Sequence, residues 1–271
     1  MARQRGSYRL SNFADGDGEI ARLHVQATIF DAIDWPMLEQ AGLRDGMRVL
    51  EVACGPGAVT TRIAGRVPGA QVVAVDRDPG MLRRARAATD AAGCGHVSLA
   101  AGELYALPFA AGTFDFCVMR FVLQHLHRPA DALAEGLRLL APGGRLCAID
   151  ADDGWLSLYP EPPVFRALVE TSGTRQVAAN GNRHIGRKLG VMLAEAGFES
   201  CEVDVRVVTT SRFSRADFVA SALSFRVDDD ATAYDPDRAR TELRDWADDA
   251  ARPAWGYVGI FGAWGRKPGG G

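Results

Sequence analysis

The stretch Val49-Leu50-Glu51-Val52-Ala53-Cys54-Gly55-Pro56-Gly57 decides how this chain folds. Residues 48–53 are a short apolar run of strand length, and the Gly-Pro-Gly after Cys54 breaks it. Residues 59–67 then read as a helix. Gly55 and Gly57 carry no Cβ, so the backbone of the turn can come close to a ligand. The helix start behind it offers unpaired N–H groups and a positive dipole end, which suit a carboxylate or a phosphate.

Outward from this turn the pattern repeats. Residues 71–75 form a second strand ending at Asp76, which stands 19 positions after Gly57. That spacing suits a carboxylate that accepts hydrogen bonds from ribose hydroxyls. A helix over 79–92 is stopped by Gly93 and Gly95. Further strands are expected at 97–100, 114–119 and 145–149, with a helix over 130–140 that Pro142-Gly143-Gly144 ends. Nearly continuous apolar strands alternating with helices predict an α/β fold, a doubly wound, Rossmann-like parallel sheet covered on both faces. Ligands bind such sheets beyond the carboxyl ends of the strands, which draws attention to Glu51–Gly57, Asp76, Glu103, Met119, Arg120 and Asp150. A helix at 189–196, a strand at 201–209, a looped helical stretch at 213–254 and a last strand at 257–264 follow.

Two features of the first turn speak against a nicotinamide dinucleotide. Thr60 stands where the third glycine of a dinucleotide fingerprint belongs. Glu51 lies in the strand just before the turn, where a carboxylate repels a pyrophosphate but welcomes a cationic amino group. A cofactor with an ammonium, a carboxylate and a ribose fits these residues better. An NAD(P)-dependent reductase therefore remains only an alternative.

These motifs resemble the class I S-adenosylmethionine-dependent methyltransferases, close to the methyltransferase type 11 group that includes ubiquinone and menaquinone methyltransferases. The resemblance runs over residues 44–150, with weaker echoes to Lys267, and extends to small-molecule, natural-product methyltransferases. Beside Val49–Gly57 it rests on Val72-Val73-Ala74-Val75-Asp76 with Met81-Leu82, and on Gly102-Glu103-Leu104-Tyr105-Ala106-Leu107-Pro108-Phe109 followed by Gly112-Thr113-Phe114-Asp115. Arg120-Phe121-Val122-Leu123-Gln124-His125-Leu126 and Leu140-Ala141-Pro142-Gly143-Gly144 complete it. It implies a seven-stranded, mostly parallel sheet whose last strand is antiparallel, and S-adenosyl-L-methionine as cofactor.

The resemblance also implies roles. Glu51 holds the glycine loop and the methionine ammonium, and Gly55 and Gly57 meet the cofactor by backbone. Asp76 binds the ribose hydroxyls, with Arg77 and Met81 flanking the adenine. Glu103 accepts from the adenine amino group, and the Leu104 N–H reaches a ring nitrogen. Met119 and Arg120 line the methionine end, which Tyr8 and Gln26 of the N-terminal segment also contact. The chain departs from the family at Ala53, where a third loop glycine is common, and at Glu103, where Asp is common.

Methyl transfer mainly needs alignment, and a base only if the nucleophile must lose a proton. His125, following the fourth strand, is the first candidate base and His184 the second. Phe13, Trp35, Trp155, Tyr159, Phe165 and Trp255 are candidate linings of an acceptor pocket. No metal site is expected, because neither the histidines nor the five scattered cysteines have ligand spacing. Asp150, Asp152 and Asp153 read as loop acids.

The implied organisation is an N-terminal helical lid at 1–43, a cofactor-binding core at 44–150, a cap at 151–188, and the rest of the core at 189–267 with a second insertion near 213–254. The 271 residues, 47 % hydrophobic and 24 % charged, suit one domain with a cap. The net charge of −3 gives no basic face for a nucleic acid, and no run reaches membrane-span length. A cytoplasmic enzyme, monomer or homodimer, acting on a small acceptor from secondary metabolism is expected. A cofactor-binding cyclase or rearrangement enzyme of the same fold is the other alternative.

Overall fold

A computed structural model describes residues 16–227 and 230–269. It begins with a long helix α1 (Gly16–Gln40) that contains Pro36. The core then alternates β1 (Arg48–Val52), α2 (Ala58–Arg66), β2 (Gln71–Asp76), α3 (Pro79–Ala91), β3 (Ser98–Ala101), β4 (Phe114–Arg120), α4 (Pro129–Leu139) and β5 (Leu140–Tyr159). A helix α5 (Phe165–Ala178) precedes α6 (Leu189–Glu195) and β6 (Glu199–Thr209). Two further helices, α7 (Arg215–Ala222) and α8 (Pro236–Asp248), lead into β7 (Trp255–Arg266).

The seven strands form one sheet in the order β3-β2-β1-β4-β5-β7-β6. Strands β1 to β5 are parallel, and β7 runs antiparallel between β5 and β6. The order reverses between β1 and β4, which places the switch point, and thus the ligand crevice, above the Val52 and Arg120 ends. Each face is covered. Ile29, Phe30, Ile33 and Met37 of α1, Ile63 of α2, Phe218 of α7 and Leu243 of α8 pack on one side. Leu133 and Leu139 of α4 with Leu189 and Leu193 of α6 pack on the other. No helix among the described residues is long and apolar enough to cross a membrane.

Two boundaries differ from the expected ones. The fifth strand does not end near Asp150; β5 continues to Tyr159, so residues 151–159 belong to the sheet and not to a cap. The cause is the antiparallel partner: Trp255–Val258 of β7 extend the ladder opposite Leu156–Tyr159, past a bulge between Asp152 and Leu156. Leu156 and Leu158 point inward while Trp155 and Tyr159 point out, the period of two that a strand demands. The Pro142-Gly143-Gly144 signal does end α4, but it forms an irregularity within β5, between the Phe114–Leu140 and Phe116–Arg145 pairs.

Candidate functional site

At the tip of β1 the chain turns through three left-handed residues, Ala53 (φ 58°), Gly55 (φ 56°) and Gly57 (φ 84°). At Gly57 a Cβ would stand 2.8 Å from Ala85 Cα, so glycine lets α2 pack against α3. At Gly55 a Cβ would meet nothing within 4 Å, so φ alone calls for glycine there. Asp76, at the tip of β2, ties the turn together. Its Oδ2 accepts from the Gly55 N–H at 2.9 Å and its Oδ1 from the Asp78 N–H at 2.9 Å. A carboxylate has about four acceptor directions, so half of its capacity remains for a ligand. Burial raises the Asp76 pKa despite these two bonds. Nearby, Met81 is buried at the start of α3, Arg77 and Leu104 are half-buried, and Glu103 is exposed.

Glu51 is the unusual residue. It is 3 % exposed, and its Oε2 has no hydrogen-bond partner among the described residues. Burial pushes its pKa up to about 7, opposed first by the Thr60 hydroxyl and then by Arg120, and reinforced by Asp76. A buried carboxyl with an orphaned oxygen is costly unless something cationic completes it. An ammonium group fits that need, and a pyrophosphate does not.

Arg120 has another commitment. Its Nε donates to Asp34 Oδ2 of α1, and its guanidinium lies 4.2 Å from the centre of the Phe121 ring. Its charge therefore fastens α1 over the strand tips. Met119 turns its side chain into the core beneath α4, within 3.1 Å of where a Gly136 Cβ would stand, leaving only its backbone toward the crevice. Gln26 Nε2 donates to the Ser221 carbonyl at 3.4 Å, joining α1 to α7. Tyr8 and Phe13 lie outside the described residues.

His125 closes a 3₁₀ turn, Leu123–His125, beyond β4. Its Nδ1 lies 3.1 Å from Gln176 Nε2 of α5. Burial, with Arg183, Arg22 and Arg77 nearby, holds its pKa well below the ordinary 6.5, so the imidazole is neutral. Beside it Asp150 is buried, with Oδ2 accepting from Gln124 N at 3.2 Å and Oδ1 unpartnered among the described residues. Burial raises the Asp150 pKa to about 7. His184 is a contrast: it is exposed, and its Nδ1 faces Asp152 Oδ1 at 3.3 Å. Asp152 is also held by Arg187 through its backbone N–H and its side chain. The three acids read as loop residues are thus strand residues of β5: Asp152 and Asp153 carry ion pairs to Arg187 and Arg226, and Asp150 is buried.

Among the described residues, the candidate pocket aromatics stand in separate parts of the fold. Trp35 is half-buried with the Arg66 guanidinium 4.6 Å from its ring. Phe165 is buried in the core beside Leu168. Trp155, Tyr159 and Trp255 stand on the outer end of the β5–β7 ladder, Tyr159 being 74 % exposed. Trp155 and Tyr159 were placed in a cap by their position after Asp150; the strand extension moves them to the sheet surface. What does gather near His125 is a set that local sequence gives little hint of: Gln124, Gln176, Arg183 and, beyond them, Phe225. Long-range hydrogen bonds assemble it. Gln124 O accepts from Gln176 Nε2 and from Asn182 N, both at 2.7 Å.

A family model described as a methyltransferase domain (Methyltransf_25) matches residues 49–144. The ubiquinone/menaquinone biosynthesis C-methyltransferase UbiE of Cereibacter sphaeroides is 36 % identical over 115 residues, 42 % of this chain and 46 % of that protein. The chain thus matches about half the length of this curated relative. Among solved structures, the [4+2]-cyclase SpnF superposes with a TM-score of 0.57 at 24 % identity, covering 89 % of this chain and 82 % of that one. The phosphoethanolamine N-methyltransferase 2 of Haemonchus contortus, solved with S-adenosyl-L-methionine, gives 0.57 at 21 % identity over 86 % of this chain and 52 % of that one. At such identities these two structures establish the fold, which serves a cyclase as well as a methyltransferase. Residues 49–144 of this chain therefore match a methyltransferase-domain model, on a sheet whose fold is shared with these solved structures.

Proposed function

We propose that this chain transfers the methyl group of S-adenosyl-L-methionine to a small organic acceptor of secondary metabolism, in the cytoplasm. The observation that carries this reading is Glu51: a buried carboxyl with an orphaned oxygen, beside a glycine turn that Asp76 holds open. The methyltransferase-domain match over the same residues supports it.

The cofactor supplies a methyl group already activated on a sulfonium. The residues of the chain do the rest. Glu51 takes the amino-acid ammonium, and the backbone of Gly55 and Gly57 packs against the cofactor. Asp76 accepts from the ribose hydroxyls with the lone pairs its two backbone bonds leave free. Arg77, Met81, Glu103 and Leu104 surround the adenine, with Glu103 and the Leu104 N–H supplying the polar contacts. Arg120 acts on this site by holding α1 in place through Asp34. Alignment of the nucleophile with the S–CH₃ bond is the main contribution, and in the best intramolecular cases orientation supplies about 7–11 kcal/mol.

His125 is the base in this reading. Gln176 orients its Nδ1 side, and its depressed pKa keeps it unprotonated and able to take a proton from an O–H or N–H nucleophile. His184, exposed and paired with Asp152, is the weaker candidate. The test is incubation with S-adenosyl-L-methionine and a panel of phenolic and polyketide-like acceptors. S-Adenosylhomocysteine should appear in equal amount with an acceptor heavier by one CH₂. An acceptor that rearranges with no gain in mass would overturn methyl transfer.

A further inference from the structure

Three guanidiniums converge on the Phe225 ring: Arg22 at 4.7 Å, Arg226 at 5.0 Å and Arg183 at 5.1 Å from its centroid. Two of them have carboxylates. Arg22 is held by both oxygens of Glu19 at 2.6 and 2.7 Å, and Arg226 by both oxygens of Asp153 at 2.6 and 2.8 Å. Arg183 is different. Its Nη1 donates to the neutral amide oxygen of Gln124 at 3.0 Å, and among the described residues it forms no ion pair. Its Nε is buried without an acceptor, and no bond is made by its Nη2 among the described residues. In a guanidinium the Nε–H and the adjacent Nη hydrogen point the same way, as the fork that takes a carboxylate or phosphate in two parallel bonds. That fork is the edge left open here.

The guanidinium is also held firmly in place. The Arg183 carbonyl accepts from Asp153 N at 2.9 Å, and Asn182 N is bound to the Gln124 carbonyl at 2.7 Å. Gln176 links the same Gln124 carbonyl to His125. The open fork and the candidate base are therefore parts of one hydrogen-bonded unit. Asp153 and Asp150 attract the Arg183 cation from a distance, but neither pairs with it directly, and a buried guanidinium edge without a direct acceptor is unfavourable unless a ligand completes it.

We propose that the acceptor of this enzyme carries an anionic group, a carboxylate or a phosphate, that pairs with the open edge of Arg183 and so positions the acceptor against His125. Arg183 is then a specificity-determining residue. The inference rests on the methyl-transfer reading for the meaning of "acceptor", but the anion site can be measured without turnover.

The test is calorimetric titration of the full chain, saturated with S-adenosylhomocysteine, with benzoate, phenyl phosphate and the uncharged benzamide. The wild type should bind one of the two anions at least tenfold more tightly than benzamide, and which anion wins tells carboxylate from phosphate. Arg183→Gln should weaken that anion about ten- to a hundredfold, the range expected for lost charge-assisted hydrogen bonds, with affinity for S-adenosylhomocysteine within twofold of wild type. Arg183→Lys, which keeps charge but loses the fork, should fall between. Equal binding of benzamide, or an anion preference that survives in Arg183→Gln, would overturn the proposal. So would a variant that keeps the anion preference and loses S-adenosylhomocysteine, since the guanidinium would then serve the cofactor's carboxylate. If Arg183→Gln fails to fold, the wild-type preference and the Arg183→Lys result decide. Failure of wild-type protein to bind S-adenosylhomocysteine while anion preference persists would count against the methyl-transfer reading and leave the anion site standing.

Discussion

Glu51, the proposed seat of the ammonium group, is buried at a cost to stability. Its folded pKa of about 7 lies above the ordinary 4.5, so the folded state prefers the protonated carboxyl. Its contribution is therefore most favourable below about pH 4.5, weakens as pH rises, and is fully lost above about 7. Glu51→Gln should raise the denaturation midpoint at pH 8 by an amount worth up to a few kcal/mol, yet weaken S-adenosylhomocysteine binding. A urea titration at pH 8 beside a binding isotherm checks both; a less stable variant at that pH would contradict the account. An ammonium beside Glu51 lowers its pKa again, so cofactor binding near pH 6.5 should release a proton. Calorimetry in buffers of different ionisation enthalpy measures that release, and Glu51→Gln should abolish most of it. His125 makes the complementary case. His125→Ala should lower kcat by about 10²–10⁴-fold with cofactor affinity unchanged. Because its pKa is depressed, the wild-type rate should rise through an inflection below pH 6.5 and not at it.

At the scale of elements, the turn between β1 and α2 and the seat of α1 matter most. Gly57→Ala forces a left-handed alanine and puts a Cβ 2.8 Å from Ala85 Cα, so α2 and α3 must separate. A loss of about 2–4 kcal/mol in urea denaturation is expected, from overpacking plus backbone strain. Gly55→Ala meets no clash and should cost only the strain, about 1–2 kcal/mol. The Arg120–Asp34 pair is buried on both sides, with side chains 10 % and 7 % exposed. Asp34→Ala leaves an uncompensated buried guanidinium, and a cost of about 3–5 kcal/mol is expected. This ladder of elements up to Asp150 was legible in the sequence because strand, glycine turn and helix are local signals. The true end of β5 was not, because Trp255–Val258 pair with it from a hundred residues away. The commitment of Arg120 to Asp34 was hidden for the same reason: nothing near Arg120 in sequence tells which acid α1 will bring.

The whole molecule is a parallel sheet whose switch point lies under α1, with an antiparallel β7 tying β5 to β6. The proposed cofactor residues Glu51, Gly55, Gly57, Asp76 and Glu103 lie at or just past the tips of β1, β2 and β3, which are consecutive in the chain, so they stand in motifs that can be read locally. The proposed acceptor side draws on α1, the turn after β4, β5, α5 and the 224–226 turn, which only folding unites. Of the aromatic residues expected there, Phe165 lies in the core and Trp155, Tyr159 and Trp255 on the outer face, while Gln176 and Arg183 gather near His125 through long-range hydrogen bonds. The central claim is that an adenosyl amino acid lies across the β1 and β2 tips. Titration of wild-type protein and Asp76→Ala with S-adenosylhomocysteine, and of wild type with NADH, tests it most directly. Saturable one-to-one binding to the wild type, weakened about ten- to a hundredfold in Asp76→Ala, with no binding of NADH, is the predicted result. Binding of NADH in place of S-adenosylhomocysteine, or an Asp76→Ala protein that binds as tightly as wild type, would contradict it.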